Sequence, residues 1–435
     1  MTHEHTAFLC GHFTRNTNAT PEMMTRMGWQ PEDVDPKMLS DKRRLFYPEF
    51  VDFCYGDEHG CKAWKRSIGR PMTLTFRGQT YHYQLDELSI YLMPMNIVIF
   101  AIKVSQTSDD LNTMTAVMFS LRAIDYYSND VHGEFIEHAI TPFCQLHEVL
   151  TAQHDETLKP LVENGNKLRV YQIINTKGAE ERPEGEDRDL LLYQLSTLSR
   201  VTKAGEVDDY SVAPHYLEKV MNESHVSVFR NWDALALMDT FTVHAYDASE
   251  SLVGNWTGMY FRMIYLHSMF QKCYLFSLNV RFRNTLRRST SALARLLAPL
   301  GRGNSEMTAL TEEYETFDRW CCFHKISYNF LPLEINEALD KGLEIGEEKE
   351  QLATILEREK TRRDEANDKT VNTLLFCLSL LTLSSAIWDL SCLIDQMYPY
   401  ADYLGSTNLG YRSVTMLVLL MLCITLYLIF HRKKR

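Results

Sequence analysis

The sequence predicts an α/β domain followed by a long connecting helix and two membrane-spanning helices at the carboxyl end. Three observations predict this. Strand-like and helix-like patterns alternate through the first 255 residues, a charged, proline-free stretch covers 333–369, and two apolar runs, Val371–Ile394 and Val414–Phe430, close the chain. The 435 residues suffice for two or three domains.

Strands are expected in "MTLTFRGQTYHYQL", with a turn at Arg77-Gly78, and in "LSIYLMPMNIVIFAIKVS". A helix capped around Ser108–Asp109 runs through "LNTMTAVMFSLRAIDYY", and a second covers about 131–150. Lys167–Asn175 reads as a strand, 176–189 as a solvated loop, and 227–246 as strands again. The first residues, "MTHEHTAFLCGHF", carry neither a basic n-region nor an apolar core, so no signal peptide is expected and the segment reads as a frayed terminus. His3, His5, Cys10 and His12 there are weak metal candidates. The ten cysteines form no CxxC pair and read as reduced.

From Trp256 the pattern is helical. Residues 259–280 are aromatic-rich, but Arg262, His267, Gln271 and Lys272 mark a buried helix of a folded domain rather than a span. The expected organisation is an α/β cytosolic domain over 1–255, a helical cytosolic region over 256–332, and a stalk helix over 333–370. Then come a first span at 371–394, an outward-facing loop at 395–413, a second span at 414–430 and a basic cytoplasmic tail at 431–435.

About 20 apolar residues cross a bilayer at 1.5 Å per residue. Arg358, Lys360, Arg362, Arg363 and Lys369 precede the first run, and Arg432, Lys433, Lys434 and Arg435 follow the second, which predicts cytoplasmic termini. In the first run, Asn372, Leu375, Ser379, Thr382, Ala386, Asp389, Leu393 and Gln396 fall on one helical row. Polar groups in hydrocarbon need a wet lining. The expectation is therefore a self-associated ring, with Asn372, Leu375, Ser379, Thr382, Ala386, Asp389 and Gln396 facing a pore; the alternative is that Asp389 lies wetted at the headgroup level and the Ser and Thr hydroxyls bond back to their own helix.

Residues 281–304 hold six arginines and no acid. Arg281, Arg288 and Arg295 recur every seven residues and form a candidate phosphate-binding face. The alternatives are salt bridges to the stalk acids or contact with anionic lipid. A net charge of −12 argues against direct nucleic-acid binding. GxxxxGK[ST], HExxH and GxSxG are absent, so no enzyme is predicted.

This layout resembles the CorA cation-transporter superfamily, whose Gly-Met-Asn motif has no counterpart in "DQMYPYADYLGSTNLGY". The resemblance implies a homopentameric channel or transporter in the bacterial inner membrane, with membrane lipid as surroundings and Mg2+ as a permeant-ion candidate. No bound cofactor is implied with certainty. "NWDALALMDTFTV" and "YLHSMFQKCYLFSLN" resemble the type III CRISPR-associated subgroup. That implies gating by a nucleotide second messenger of the S-adenosylmethionine–AMP type. A housekeeping divalent-cation transporter and a membrane-anchored adaptor without conduction are the alternatives.

Overall fold

The structure is a computed structural model. It describes residues 1–32, 36–56, 60–76, 78–152, 167–179, 182–202, 206, 211–289 and 302–397. The chain divides into a unit spanning Met1–Leu352 and a second spanning Ala353–Arg435.

The first unit is built on one nine-stranded mixed sheet in the order β2-β3-β4-β5-β1-β6-β9-β8-β7. The strands are β1 (Thr2–Thr14), β2 (Gln30–Pro31), β3 (Lys62–Phe76), β4 (Gln79–Leu92), β5 (Ile97–Ser108), β6 (Arg169–Lys177), β7 (His225–Phe229), β8 (Trp232–Leu237) and β9 (Thr240–Tyr246). Every neighbouring pair is antiparallel except β6 and β9, which run parallel. The segment expected to fray is thus the central strand. β1 pairs with β5 along His3–Thr14 and with β6 along Thr2–Cys10.

Side chains alternate across a strand, so β1 serves two layers. Ala7, Leu9 and Phe13 join one large apolar core, under α4 (Leu111–Arg122), α5 (Asn129–Phe135) and α6 (Thr141–Thr151), with a π-helical turn at Ile136–Ile140 linking the last two. Asp110 caps α4 by accepting from the Asn112 amide, close to the predicted cap. His3 and His5 continue this face; Phe8, Cys10 and His12 lie on the other. This alternation separates the four metal candidates. Among the described residues, no group of three or more His, Cys, Asp or Glu is placed to hold a metal.

The opposite face is covered by α9 (Glu250–Thr257) and α10 (Arg262–Ser289). On α10, Arg262, Tyr265, Met269 and Cys273 recur at three- and four-residue steps and are all buried, so they share the sheet-facing stripe. α7 (Gly185–Thr197) and α8 (Pro214–Ser224) pack over the β8 end of the sheet, where Leu192, Leu217, Val220 and Leu235 form a smaller core. α1 (Pro21–Arg26), α2 (Pro36–Leu45) and α3 (Pro48–Tyr55) fill the connection to β3.

The carboxyl half holds α11 (Arg302–Cys321), α12 (Phe330–Gly342) and α13 (Ile345–Met397). The stalk expected to begin at 333 is broken: Glu344 takes φ +55°, and α13 starts only at Ile345. Gly342 makes the break compact, since a Cβ there would meet the Ala236 carbonyl oxygen at 2.4 Å.

The membrane expectation is corrected. α13 is 53 residues long, and Val371–Ile394 lies within it. Its charged first half runs directly into a part where Asn372, Ser379, Thr382, Ser385 and Asp389 interrupt the leucines. Among the described residues no helix is long and apolar enough to cross a membrane. This overturns the CorA-like layout with two C-terminal transmembrane helices, the ion-channel reading that required it, and the placement as a multi-pass inner-membrane protein. The loop at 395–413, apart from its first three residues at the end of α13, lies outside the described residues, as do the second run at 414–430 and the tail at 431–435.

Candidate anion-binding site

Arginine in a buried apolar layer is costly unless a carboxylate accompanies it. Between the sheet and α10 there are two such residues. Arg169 opens β6 directly opposite Cys10 of β1, and Arg262 opens α10. They retain only 8% and 6% of their exposure. Among the described residues, neither is ion-paired to a carboxylate.

Their hydrogen bonds go to sulfur, a weak acceptor. Arg169 Nη1 donates to Cys273 Sγ at 3.5 Å, and Arg262 Nη2 donates to Met259 Sδ at 3.1 Å. The Nε atoms of both side chains are buried without any partner. Arg262 lies over the Phe8 ring at 4.4 Å and near Tyr91 at 6.0 Å, contacts that support a cation without neutralising it.

The surrounding groups are also donors lacking acceptors. The hydroxyls of Tyr91 and Tyr265 and the indole Nε1 of Trp256 are buried and unpartnered. Ser89, beside Tyr91 on β4, gives its own hydroxyl hydrogen to Glu87 Oε1 at 3.0 Å. Tyr171 is satisfied, donating to the Trp256 carbonyl at 2.7 Å. Its ring connects the group: 5.9 Å from Phe8, 5.0 Å from Tyr265, and stacked on Phe241 at 5.6 Å.

Titration leaves the positive charge standing. Burial pushes the Cys10 thiol up to about 12, against the pull of Arg262 and Arg169. Burial raises the Tyr91, Tyr171 and Tyr265 phenols far above neutrality. His12 is held down to about 3 by burial and then by Arg169, so it is neutral. For Arg262 burial opposes the charge, but Tyr91, Glu32, Glu87 and Tyr171 outweigh it and its pKa lies above the ordinary value. Arg169 is likewise raised against burial, by Cys273, Tyr265 and Asp239. At neutral pH the thiol and phenol are uncharged, and Asp239 is paired with Arg122 at 3.5 Å. Among the described residues the two guanidiniums thus share a layer without an ion-paired carboxylate, although Glu32 and Glu87 act on Arg262 through space.

The predicted site residues lie elsewhere. Arg281, exposed on α10, grips Glu313 of α11 through both terminal nitrogens, one at 2.7 Å, and Tyr274 donates to the same carboxylate at 3.0 Å. It is a structural ion pair, formed with α11 rather than the stalk. Arg288 lies on the α10 backbone, but its side chain, like Arg295, falls outside the described residues. Asn372, Leu375, Ser379, Thr382, Ala386 and Asp389 are exposed on α13. Ser379 and Thr382 bond back to the Leu375 and Ser379 carbonyls at 2.8 and 2.9 Å. Gln396 belongs to α13, and its side chain is not described.

Arg169 and Arg262 were outside the sequence-predicted set because they are 93 positions apart and belong to no basic run. The usable signal was an arginine in each of two otherwise apolar runs, "LRVYQII" and "YFRMIYL". No family model, curated protein or solved structure matches the chain.

Proposed function

We propose that the Met1–Leu352 unit is a binding module for a small anionic ligand, held between the sheet and α10 by Arg169 and Arg262. The observation that carries this reading is the pair of buried guanidiniums with only sulfur acceptors and orphaned Nε atoms. An uncompensated buried ion costs several kcal/mol, and a bound anion offsets that cost. The site binds rather than catalyses. Its thiol, phenols and His12 are shifted away from neutrality, whereas general acid–base chemistry uses groups titrating near the working pH.

The test is calorimetric titration and thermal denaturation of the purified chain with anions of increasing charge. Multivalent anions should bind and raise the melting temperature beyond an equal ionic strength of sodium chloride. Responses identical to sodium chloride, or unchanged in Arg169→Met and Arg262→Met, would refute the assignment.

A second reading concerns α13. Val371, Leu375, Phe376, Leu378, Leu381 and Leu383 are exposed on its described part. They favour self-association along this helix, with copies of the chain covering one another's leucines. Sedimentation of the purified chain should give an oligomer, and the paired change Leu375→Glu, Leu378→Glu should shift it toward monomer. A monomeric parent chain would end this reading.

A further inference from the structure

Resting on the anion-binding reading, we propose that the ligand group seated between Arg169 and Arg262 is a tetrahedral dianion of the phosphate-monoester class, and that Tyr91 and Tyr265 are its specificity-determining donors. Two guanidiniums carry the positive charge of the layer, and the Glu32 and Glu87 carboxylates act on Arg262 through space, without an ion pair among the described residues. The unpartnered hydrogen-bonding atoms there include Arg169 Nε, Arg262 Nε, Tyr91 Oη, Tyr265 Oη and Trp256 Nε1, and each of these can donate. A carboxylate offers two oxygens and a single charge; a phosphate monoester offers three terminal oxygens and a charge of about −1.5 to −2 at pH 7. It therefore serves both arginines and the phenols together.

The sulfur contacts fit this use. Cys273 Sγ and Met259 Sδ hold the guanidiniums in place weakly, so an oxyanion displaces them at small cost. The rings of Phe8, Tyr171 and Tyr265 give the group an apolar wall. There a charge-assisted hydrogen bond is stronger than in water.

The experiment uses the full chain, with inorganic phosphate, phenyl phosphate, acetate and sodium chloride compared at equal ionic strength by calorimetry and thermal denaturation. Phosphate and phenyl phosphate should bind and raise the melting temperature, while acetate tracks sodium chloride. Tyr91→Phe and Tyr265→Phe should each weaken phosphate binding several-fold, and Arg262→Met by roughly tenfold or more. Arg262→Met should also raise the melting temperature of the ligand-free chain, because it removes an unpaired buried charge; this separates a lost site from a lost fold. Arg262→Lys retains the charge without the fork and should bind weakly. Acetate binding as well as phosphate, or silent tyrosine variants, would overturn the phosphate assignment while leaving anion binding standing. The absence of any anion response would remove both.

Discussion

Single residues in this protein carry opposite electrostatic problems on the two faces of one sheet. On the α10 face, two guanidiniums are buried without an ion-pair partner among the described residues. On the other face, histidines are buried neutral and fully engaged. His5 bonds Gln172 Oε1 at 3.0 Å and Gln106 Nε2 at 2.8 Å; Thr176 Oγ1 sits between His3 Nδ1 at 2.8 Å and His244 Nε2 at 2.9 Å. Burial lowers His5 to about 4 and His244 to about 3, from the 6.5 of an exposed ring. The sign follows from linkage: below about 6.5 the unfolded chain takes up protons that the folded chain refuses. Stability is therefore full above that pH and declines as the pH falls through 6 toward 4. Chemical denaturation across this range should show the decline, and His244→Gln should make it shallower. A flat profile would place the histidines in solvent.

The residue scale is also where the sequence was least legible. The histidines of "THEHTAFLCGHF" read as part of a frayed terminus. Their partners Gln172, Gln106 and Thr176 come from strands more than 90 residues away, and only the tertiary fold makes them buried. Arg169 and Arg262 were hidden for the same reason. The basic cluster that was visible, at 281–304, supplied in Arg281 a partner for Glu313.

At the scale of elements, legibility was better. The β3–β4 hairpin, the cap of α4, β6 and the strands of 227–246 all follow from local pattern, since turn and cap residues act within a few positions. The stalk boundary did not, because the break at Gly342–Glu344 depends on close approach to β8. Gly342→Ala should push α12 off Ala236 and destabilise the fold by about 1–3 kcal/mol, the usual range for overpacking. The first turn of α13 is fastened by two ion pairs: Lys272 of α10 to Glu348 at 2.7 Å, and Asp318 of α11 to Lys349 at 2.6 Å. Lys272 is the more buried, with its side chain 8% exposed against 29% for Glu348. Glu348→Ala strands that ammonium and should cost about 2 kcal/mol, below the ~3–5 of a fully buried pair. Lys272→Met combined with Glu348→Leu should recover most of the loss. If the double variant is no better than Glu348→Ala, the pair is not what holds the turn.

For the molecule as a whole, composition and charge set the broad limits, and the α/β character of the first half was readable from alternating patterns. The C-terminal layout was not. The row of Asn372, Ser379, Thr382 and Asp389 reads in the sequence equally as a pore lining and as an interruption of the apolar run. Here the described helix does not meet the requirement for crossing a membrane. What unites the molecule functionally is α10. It lays Arg262, Tyr265 and Cys273 against the sheet and presents Lys272 to α13. On the proposed reading, an anion completes this layer. The most direct measurement is an anomalous difference map from crystals soaked in selenate, a tetrahedral dianion with a strong signal. A peak is expected within hydrogen-bonding distance of both Arg169 and Arg262. A map without density there, with selenate bound only at exposed lysines and arginines, would contradict it.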